Sequence, residues 1–242
     1  SNGDGKVRAF DSRDFTPVRV FEFREKANNL RFDAATGELF VGIGATFGAI
    51  AVIDTKDTTS DKTALAPARE IPLAAYPKQF ELDSDGNRIF VNVPAKNWVE
   101  VLDRAEGRSV ATWRIRADAG EGNIPMGFDR AGHRLLVGMA SGKLVVLDSR
   151  TGREIAVVEI AADADGVHYD AKRRLIYISC GAGFLDVVRQ NDGDHYERIA
   201  HIPTAKGAAT SLWVAELDRL YLAVPATDSR HAKLRAYKPA TP

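Results

Sequence analysis

One unit recurs along this chain and restricts its fold more than any other feature: a strand, a tight polar turn and a second strand rich in Val, Ile, Leu and aromatic residues. It occurs five times, as LRFDAATGELFVGIG from Leu30, FELDSDGNRIFVNVP from Phe80, GFDRAGHRLLVGMA from Gly127, VHYDAKRRLIYISCG from Val167 and LWVAELDRLYLAVPA from Leu212. Asp33, Asp83, Asp129 and Asp170 stand at matching places in the turns, and Ala215 takes that place in the fifth copy. A short carboxylate there bonds backbone amides two residues on and starts the turn. From Leu30 to Leu212 the copies span 182 residues over four intervals, a mean of 45.5. That is close to the spacing of a four-stranded propeller blade.

A second strand pair lies between these copies, clearest in WVEVLDRAEGRSVATWRI from Trp98 and KLVVLDSRTGREIAVVEI from Lys143. Each unit therefore holds four strands. The second strands, such as LFVGIG and LIYISCG, are apolar at successive positions, so both of their faces must be covered. Neighbouring blades do this, whereas a sandwich of two sheets would show clean alternation with one wet face. Helical periodicity is nowhere sustained. The predicted fold is all-β, a β-propeller of four-stranded antiparallel blades forming a single domain over residues 1–242. Complete blades are expected at 30–73, 80–115, 125–160 and 167–202, a partial blade of third and fourth strands at 6–23, and a final blade lacking its outer strand at 211–239. A polar insertion, Lys56 to Ala68, reads as an exposed loop.

Composition closes off several function classes. Lysine plus arginine (33) balance aspartate plus glutamate (33), so no global field draws the protein to nucleic acid or to an anionic membrane. Cys180 is the only cysteine, which excludes an internal disulfide, a CxxC redox pair, a multi-cysteine zinc site and CxxCH haem attachment. No apolar run approaches the roughly 18 residues of a membrane span. GIGATFG, Gly42 to Gly48, has the wrong spacing for a dinucleotide loop and leads into a strand.

The runs NNLRFDAATGELFVGIG, KQFELDSDGNRIFVNVP and HYERIAHIPTAKGAATSLWVAELDRLYLAVP, with the repeated V-x-V-[IL]-D strands, resemble the bacterial YVTN-repeat, or YncE-like, propeller family over essentially the whole chain. The resemblance implies a seven-bladed, exported protein, periplasmic in location. It also implies that about five and a half blades are present here, with an N-terminal segment outside this sequence, in preference to a ring closed with fewer blades. Single-stranded nucleic-acid binding has been ascribed to that family, and the balanced charge argues against it here.

Ligands of propellers usually bind at the mouth of the central channel, where the connections into each first strand lie. These connections supply Asn28 and Asn29, Tyr76 with Lys78 and Gln79, Asn123, Asp163 with Asp165, and Thr210 with Ser211. Asn28, Asn123, Asp163 and Asp165 offer the carboxylate and amide oxygens that calcium favours, as in lactone-hydrolysing propellers, while AADADG is equally what a simple turn requires. His168 beside Ser211 or Asp165 is the arrangement a base and nucleophile would need, although no G-x-S-x-G elbow is present and a strand histidine is more often hydrogen-bonded in the core.

The function expected from the sequence is thus a non-catalytic, exported propeller, monomeric, that binds a partner protein or small ligand at the channel mouth and requires no cofactor. A calcium-dependent, lactonase-like hydrolase is the alternative, and a single-stranded nucleic-acid binder the second.

Overall fold

The computed structural model describes residues 4–45, 47–56, 69–83, 85–115, 122–228 and 231–239. The loop expected from Lys56 to Ala68 lies, from residue 57 onward, outside them. Among the described residues the chain is all-β, with two short 3-10 turns and no α-helix. It divides into two compact units, Ser1–Trp113 and Arg114–Pro242.

In the first unit β1 (Lys6–Phe10) and β2 (Pro17–Glu22) form a two-stranded sheet. A four-stranded sheet follows, of β3 (Ala27–Asp33), β4 (Glu38–Gly44), β5 (Gly48–Asp54) and β6 (Arg69–Leu73). The next comprises β7 (Phe80–Asp83), β8 (Arg88–Val93), β9 (Trp98–Asp103) and β10 (Arg108–Arg114). The second unit begins with the sheet β11 (Asn123–Asp129), β12 (Arg134–Met139), β13 (Lys143–Asp148) and β14 (Glu154–Glu159). Then come β15 (Ala164–Asp170), β16 (Leu175–Cys180), β17 (Phe184–Gln190) and β18 (Tyr196–Pro203), and a three-stranded sheet of β19 (Ser211–Val214), β20 (Arg219–Val224) and β21 (Lys233–Tyr237). Strands adjacent in sequence pair antiparallel, in meanders.

Burial follows the reading of the repeats. Second strands are buried almost end to end (β8, β12 and β16), whereas the outer strand β10 alternates exposed and half-buried positions because only one of its faces is covered. In the first unit Phe40, Ile50 and Ile71 of one sheet pack on Phe80, Ile89 and Leu102 of the next. In the second, Leu136, Leu144 and Val146 pack on Val167, Ile176 and Ile178, and Tyr177, Leu185 and Val187 pack on Leu220. Each such side chain contributes about 1.5 to 3 kcal/mol by leaving water.

The turn aspartates act as predicted. Asp33 Oδ1 accepts from Ala35 N (3.0 Å), Asp83 from Gly86 N (3.2 Å), Asp129 from Gly132 N (2.9 Å) and Asp170 from Lys172 N (3.1 Å). Four residues after each carboxylate the backbone turns left-handed, at Gly37, Asn87, His133 and Arg174, and in the fifth copy it does so at Asp218, which closes a 3-10 turn three residues after Ala215. Glycine and asparagine suit that conformation, but His133 and Arg174 adopt it against preference because these four copies share the turn geometry.

Three of these carboxylates, Asp33, Asp129 and Asp170, are also tied to the next sheet. Arg104 Nη2, from the turn after β9, donates to Asp33 Oδ2 at 2.7 Å with both side chains 7% exposed. The Arg104 guanidinium also lies 4.8 Å from the Phe40 ring centroid. Gln190 Nε2 donates to Asp129 Oδ2 at 3.0 Å, and Arg173 bridges Asp170 to Asp218. Two buried carboxylates on third strands hold the exit of the preceding sheet: Glu100 accepts from Ala74 N (3.2 Å) and Asp186 from Ala161 N (2.6 Å).

Replacing Arg104 by Leu strands the Asp33 carboxylate and is expected to cost about 3 kcal/mol, a fall in Tm of roughly 6 to 12 °C. The Arg104 hydrogen bond holds the Asp33 carboxyl below its ordinary value. Its stabilisation is therefore present above the unfolded value of about 3.9 and lost as pH falls through the lower folded value. Without Arg104, burial raises Asp33 and acid unfolding starts at higher pH. A variant whose Tm and acid limb match the parent's would show the pair to be idle.

Candidate functional site

The residues expected at the mouth lie at the starts of first strands, and backbone geometry accounts for several of them. In the first unit Asn28 and Asn29 sit at a bulge in β3, where Asn29 is left-handed (φ 46°) and donates from Nδ2 to Asn28 Oδ1 at 3.2 Å. Asparagine tolerates that conformation better than most residues. Lys78 Nζ stands 5.6 Å from the Tyr76 ring centroid, and the backbone of Lys78 and Gln79 extends the ladder to Asn92.

The bulge recurs in the second unit, between Asn123 and Met126 of β11 and between Ala164 and Gly166 of β15. Bulges re-aim side chains at strand ends. Asn123 is fully buried. Asp163 is exposed and left-handed (φ 61°), with its N–H donating to Ala140 O and its carbonyl accepting from Gly181 N, so its backbone shapes the connection into β15. Asp165 is half-buried at the bulge, and Thr210 is exposed with its carbonyl accepting from Ala223 N. Among the described residues no group of three or more His, Cys, Asp or Glu side chains is placed to hold a metal ion.

His168 and Ser211 do meet. His168 Nε2 lies 3.0 Å from Ser211 Oγ, which lies 2.7 Å from Ser179 Oγ. Ser179 in turn bonds the Ala209 carbonyl. A carbonyl oxygen only accepts, so Ser179 donates to it and must itself accept from the Ser211 hydroxyl. Ser211 then accepts from His168, which carries its proton on Nε2. Protons run from His168 to Ser211 to Ser179 to Ala209, the reverse of what a general base needs to activate Ser211. Gly166 makes room for the chain: a Cβ there would stand 2.5 Å from both serine hydroxyls. Ser179 and Gly166 were not singled out from the sequence, although a lone serine in the buried run LIYISCG was a signal.

Other reactive groups are quiet. Cys180 is buried, and burial, with the Asp186 and Asp163 carboxylates adding to it, pushes its thiol up to about 12. His133 contacts Arg150, His195 contacts Asp192, and His201 contacts the buried Asp186.

The same face of the β15–β18 sheet that carries Ser179 and His168 opens, further along, into a groove of about 640 Å3 against β20 and β21. Its floor is Tyr177, Leu185 and Val187, its sides include Ile199, Ile202 and Tyr237, and it is lined by four cations, Lys172, Arg173, Arg189 and Lys238. Tyr177 also packs against Trp213, ring centroids 5.0 Å apart and planes tilted by 44°.

Antiparallel four-stranded sheets, covered on both faces and repeated at blade spacing, define the chain as a β-propeller of the WD40-like kind. Two solved structures share the fold. A crystal structure of the mitotic checkpoint complex matches with a TM-score of 0.79 at 13% identity, covering 98% of this chain and 70% of that one. Hydrazine synthase of Kuenenia stuttgartiensis matches with a TM-score of 0.69, also at 13% identity, covering 91% and 68%. Identities this low establish the fold alone. No protein-family model and no curated protein matches the sequence.

Two outcomes test the proton chain. Imidazole nitrogen shifts in NMR should show His168 as the Nε2–H tautomer at neutral pH, and a fluorophosphonate probe should leave Ser211 unlabelled; rapid labelling would mean the hydroxyl proton faces the histidine. Gly166→Ala should destabilise by about 1 to 3 kcal/mol through overpacking, measured by urea unfolding.

Proposed function

We propose that this propeller is a non-catalytic interaction module and that a partner protein sits in the groove between the β15–β18 sheet and β20–β21. The observation that carries the reading is the groove itself. Its volume of about 640 Å3 falls within the range of binding clefts, and apolar and aromatic side chains dominate its walls. The direction of the proton chain supports the non-catalytic half, because it leaves Ser211 without a base. One of the solved structures of this fold is of a multi-protein complex, which agrees with a scaffold role.

Within the second unit, the bulge at the start of β15 favours a second, polar contact surface where Asp165 and His168 stand. The likeness of the repeats to the YVTN type supports membership of that family and export as parts of the same proposal.

The test is a displayed random-peptide library panned on the parent chain, with Ile199→Glu as the counter-target. Ile199 lines the groove and is 39% exposed, so the substitution spares the core. Enriched clones should bind the variant at least about tenfold more weakly, about 1.4 kcal/mol. No enrichment, or clones indifferent to the substitution, would remove the groove as the binding surface.

A further inference from the structure

We infer a second binding site, in the first unit and independent of the groove: the cavity beside β5 and β6 takes a free aromatic α-amino acid, with its ammonium on Glu25 and its carboxylate on Arg24.

The cavity lies where two alanines replace larger residues. Glu38, Arg88 and Leu175, each five residues after a turn aspartate, pair with Asp54, Asp103 and Arg189 and so align the third strands β5, β9 and β17. Five residues before those partners stand Trp98 in β9 and Phe184 in β17, and three residues before them stand Glu100 and Asp186. In β5 the same two places hold Ala49 and Ala51. Alternate residues of a strand share a face, so β5 lacks both the ring and the carboxylate on one side. That side is turned to the preceding sheet, where Ala49 and Ala51 join Val7, Phe21 and Ala27 in an apolar cluster. A cavity of about 570 Å3 opens there, with the buried Ile43 and Ala49 in its lining, a size that suits a small molecule.

The work of the ring and carboxylate in the other sheets defines what β5 does not supply. Trp98 packs on the cluster that joins β3–β6 to β7–β10, and Phe184 stacks on His201 with ring centroids 4.0 Å apart. Glu100 and Asp186 accept from the backbone N–H of Ala74 and Ala161. Arg24 is the counterpart of Ala161: each stands three residues before an alanine, Ala27 or Ala164, that pairs with the second strand at Ile43 or Cys180. Ala51 offers Arg24 no acceptor. Its partner across the strands is Glu70, at the place where His201 faces Asp186.

The charged groups around the cavity have no partners of their own. Arg24, Glu25 and Glu70 line it, and none of them forms an ion pair among the described residues. Glu25 Oε2 is buried without a hydrogen-bond partner. A buried acceptor left in that state is costly, so a ligand that brings an N–H to it is held there.

An aromatic α-amino acid carries every group that β5 lacks. Its ring takes the space that Trp98 and Phe184 fill in the other sheets. Its carboxylate takes the acceptor role of Glu100 and Asp186, beside Arg24. Its ammonium donates to Glu25, and Glu70 adds to the attraction. A simple cation would be repelled by Arg24 and a simple anion by two glutamates, whereas a zwitterion uses both signs. Phe47, 76% exposed between β4 and β5, also lines the cavity and presents a ring to stack on that of the ligand.

The experiment is isothermal titration calorimetry of the parent chain with L-phenylalanine, L-tyrosine and L-tryptophan. At least one should bind at a single site, at least about tenfold more tightly than L-alanine, N-acetyl-phenylalanine and phenylalaninamide, which lack the ring, the ammonium and the carboxylate in turn. Glu25→Gln, of the same shape without the charge, and Arg24→Gln, at an exposed position, should each weaken that ligand at least about tenfold. Ala49→Trp, which restores the residue of β9, should abolish binding.

Failure of all three amino acids to bind overturns the inference. So does affinity unmoved by Glu25→Gln and Arg24→Gln, which puts the ligand elsewhere. Phenylalaninamide binding as tightly as the free amino acid overturns it in favour of the N-terminus of a peptide, and N-acetyl-phenylalanine doing so removes the role of Glu25. None of these outcomes bears on the groove, which is tested through Ile199.

Discussion

Covering both faces of the inner strands is the constraint on which the rest of the structure depends. Strands such as β8, β12 and β16 are buried almost end to end, so neither of their faces tolerates water. The outer strands, wet on one face, alternate as β10 does. Within each unit a sheet is thus a partner to the next, as in repeat proteins whose stability resides in nearest-neighbour interfaces. Phe40 against Phe80 and Leu136 against Ile176 are these interfaces in residue terms.

Polar groups are organised around that apolar contact. A turn aspartate must satisfy backbone amides locally, and the outward oxygen that remains meets Arg104 or Gln190 of the next sheet, or Arg173 of its own turn, which reaches on to Asp218. Glu100 and Asp186 do the equivalent at the other end of the third strands, binding the backbone amide where the preceding sheet exits. Among the described residues the buried carboxylates Asp33, Glu100, Asp129, Asp170 and Asp186 all make such bonds. This agrees with the absence, among the described residues, of a cluster of three metal-ligating side chains.

One face of the β15–β18 sheet concentrates what is distinctive in the second unit. At the start of β15 a glycine admits two serines and a histidine into a proton chain that ends on a backbone carbonyl. Further along, the same face widens into an apolar groove with cations in its lining. The hydroxyls of the chain are held in structural bonds, whereas the groove is lined and exposed. The proposal of a protein-binding module follows from that contrast.

Much of the fold was legible in the residues. The Asp at each turn, the apolar run of each second strand and the interval between copies are short-range signals, and short-range signals survive in a single sequence. Gly37 and Asn87 announce the left-handed turn position, while His133 and Arg174 hide it, because there the shared turn geometry overrides local preference. The candidate site was legible only in part. His168 and Ser211 were identifiable as a pair, but the direction of their hydrogen bond depends on Ser179 and on the Ala209 carbonyl, which no local pattern connects to them.

By itself, then, the sequence determined the strand pattern, the turns and the two-sided burial that make a propeller, since these arise from propensities and pleat periodicity acting over a few residues. Only the tertiary structure decided which aspartate meets which arginine, which way the serine proton points and where a groove opens. Those outcomes depend on how side chains from strands far apart in the chain pack against one another, and packing is a property of the assembled sheets.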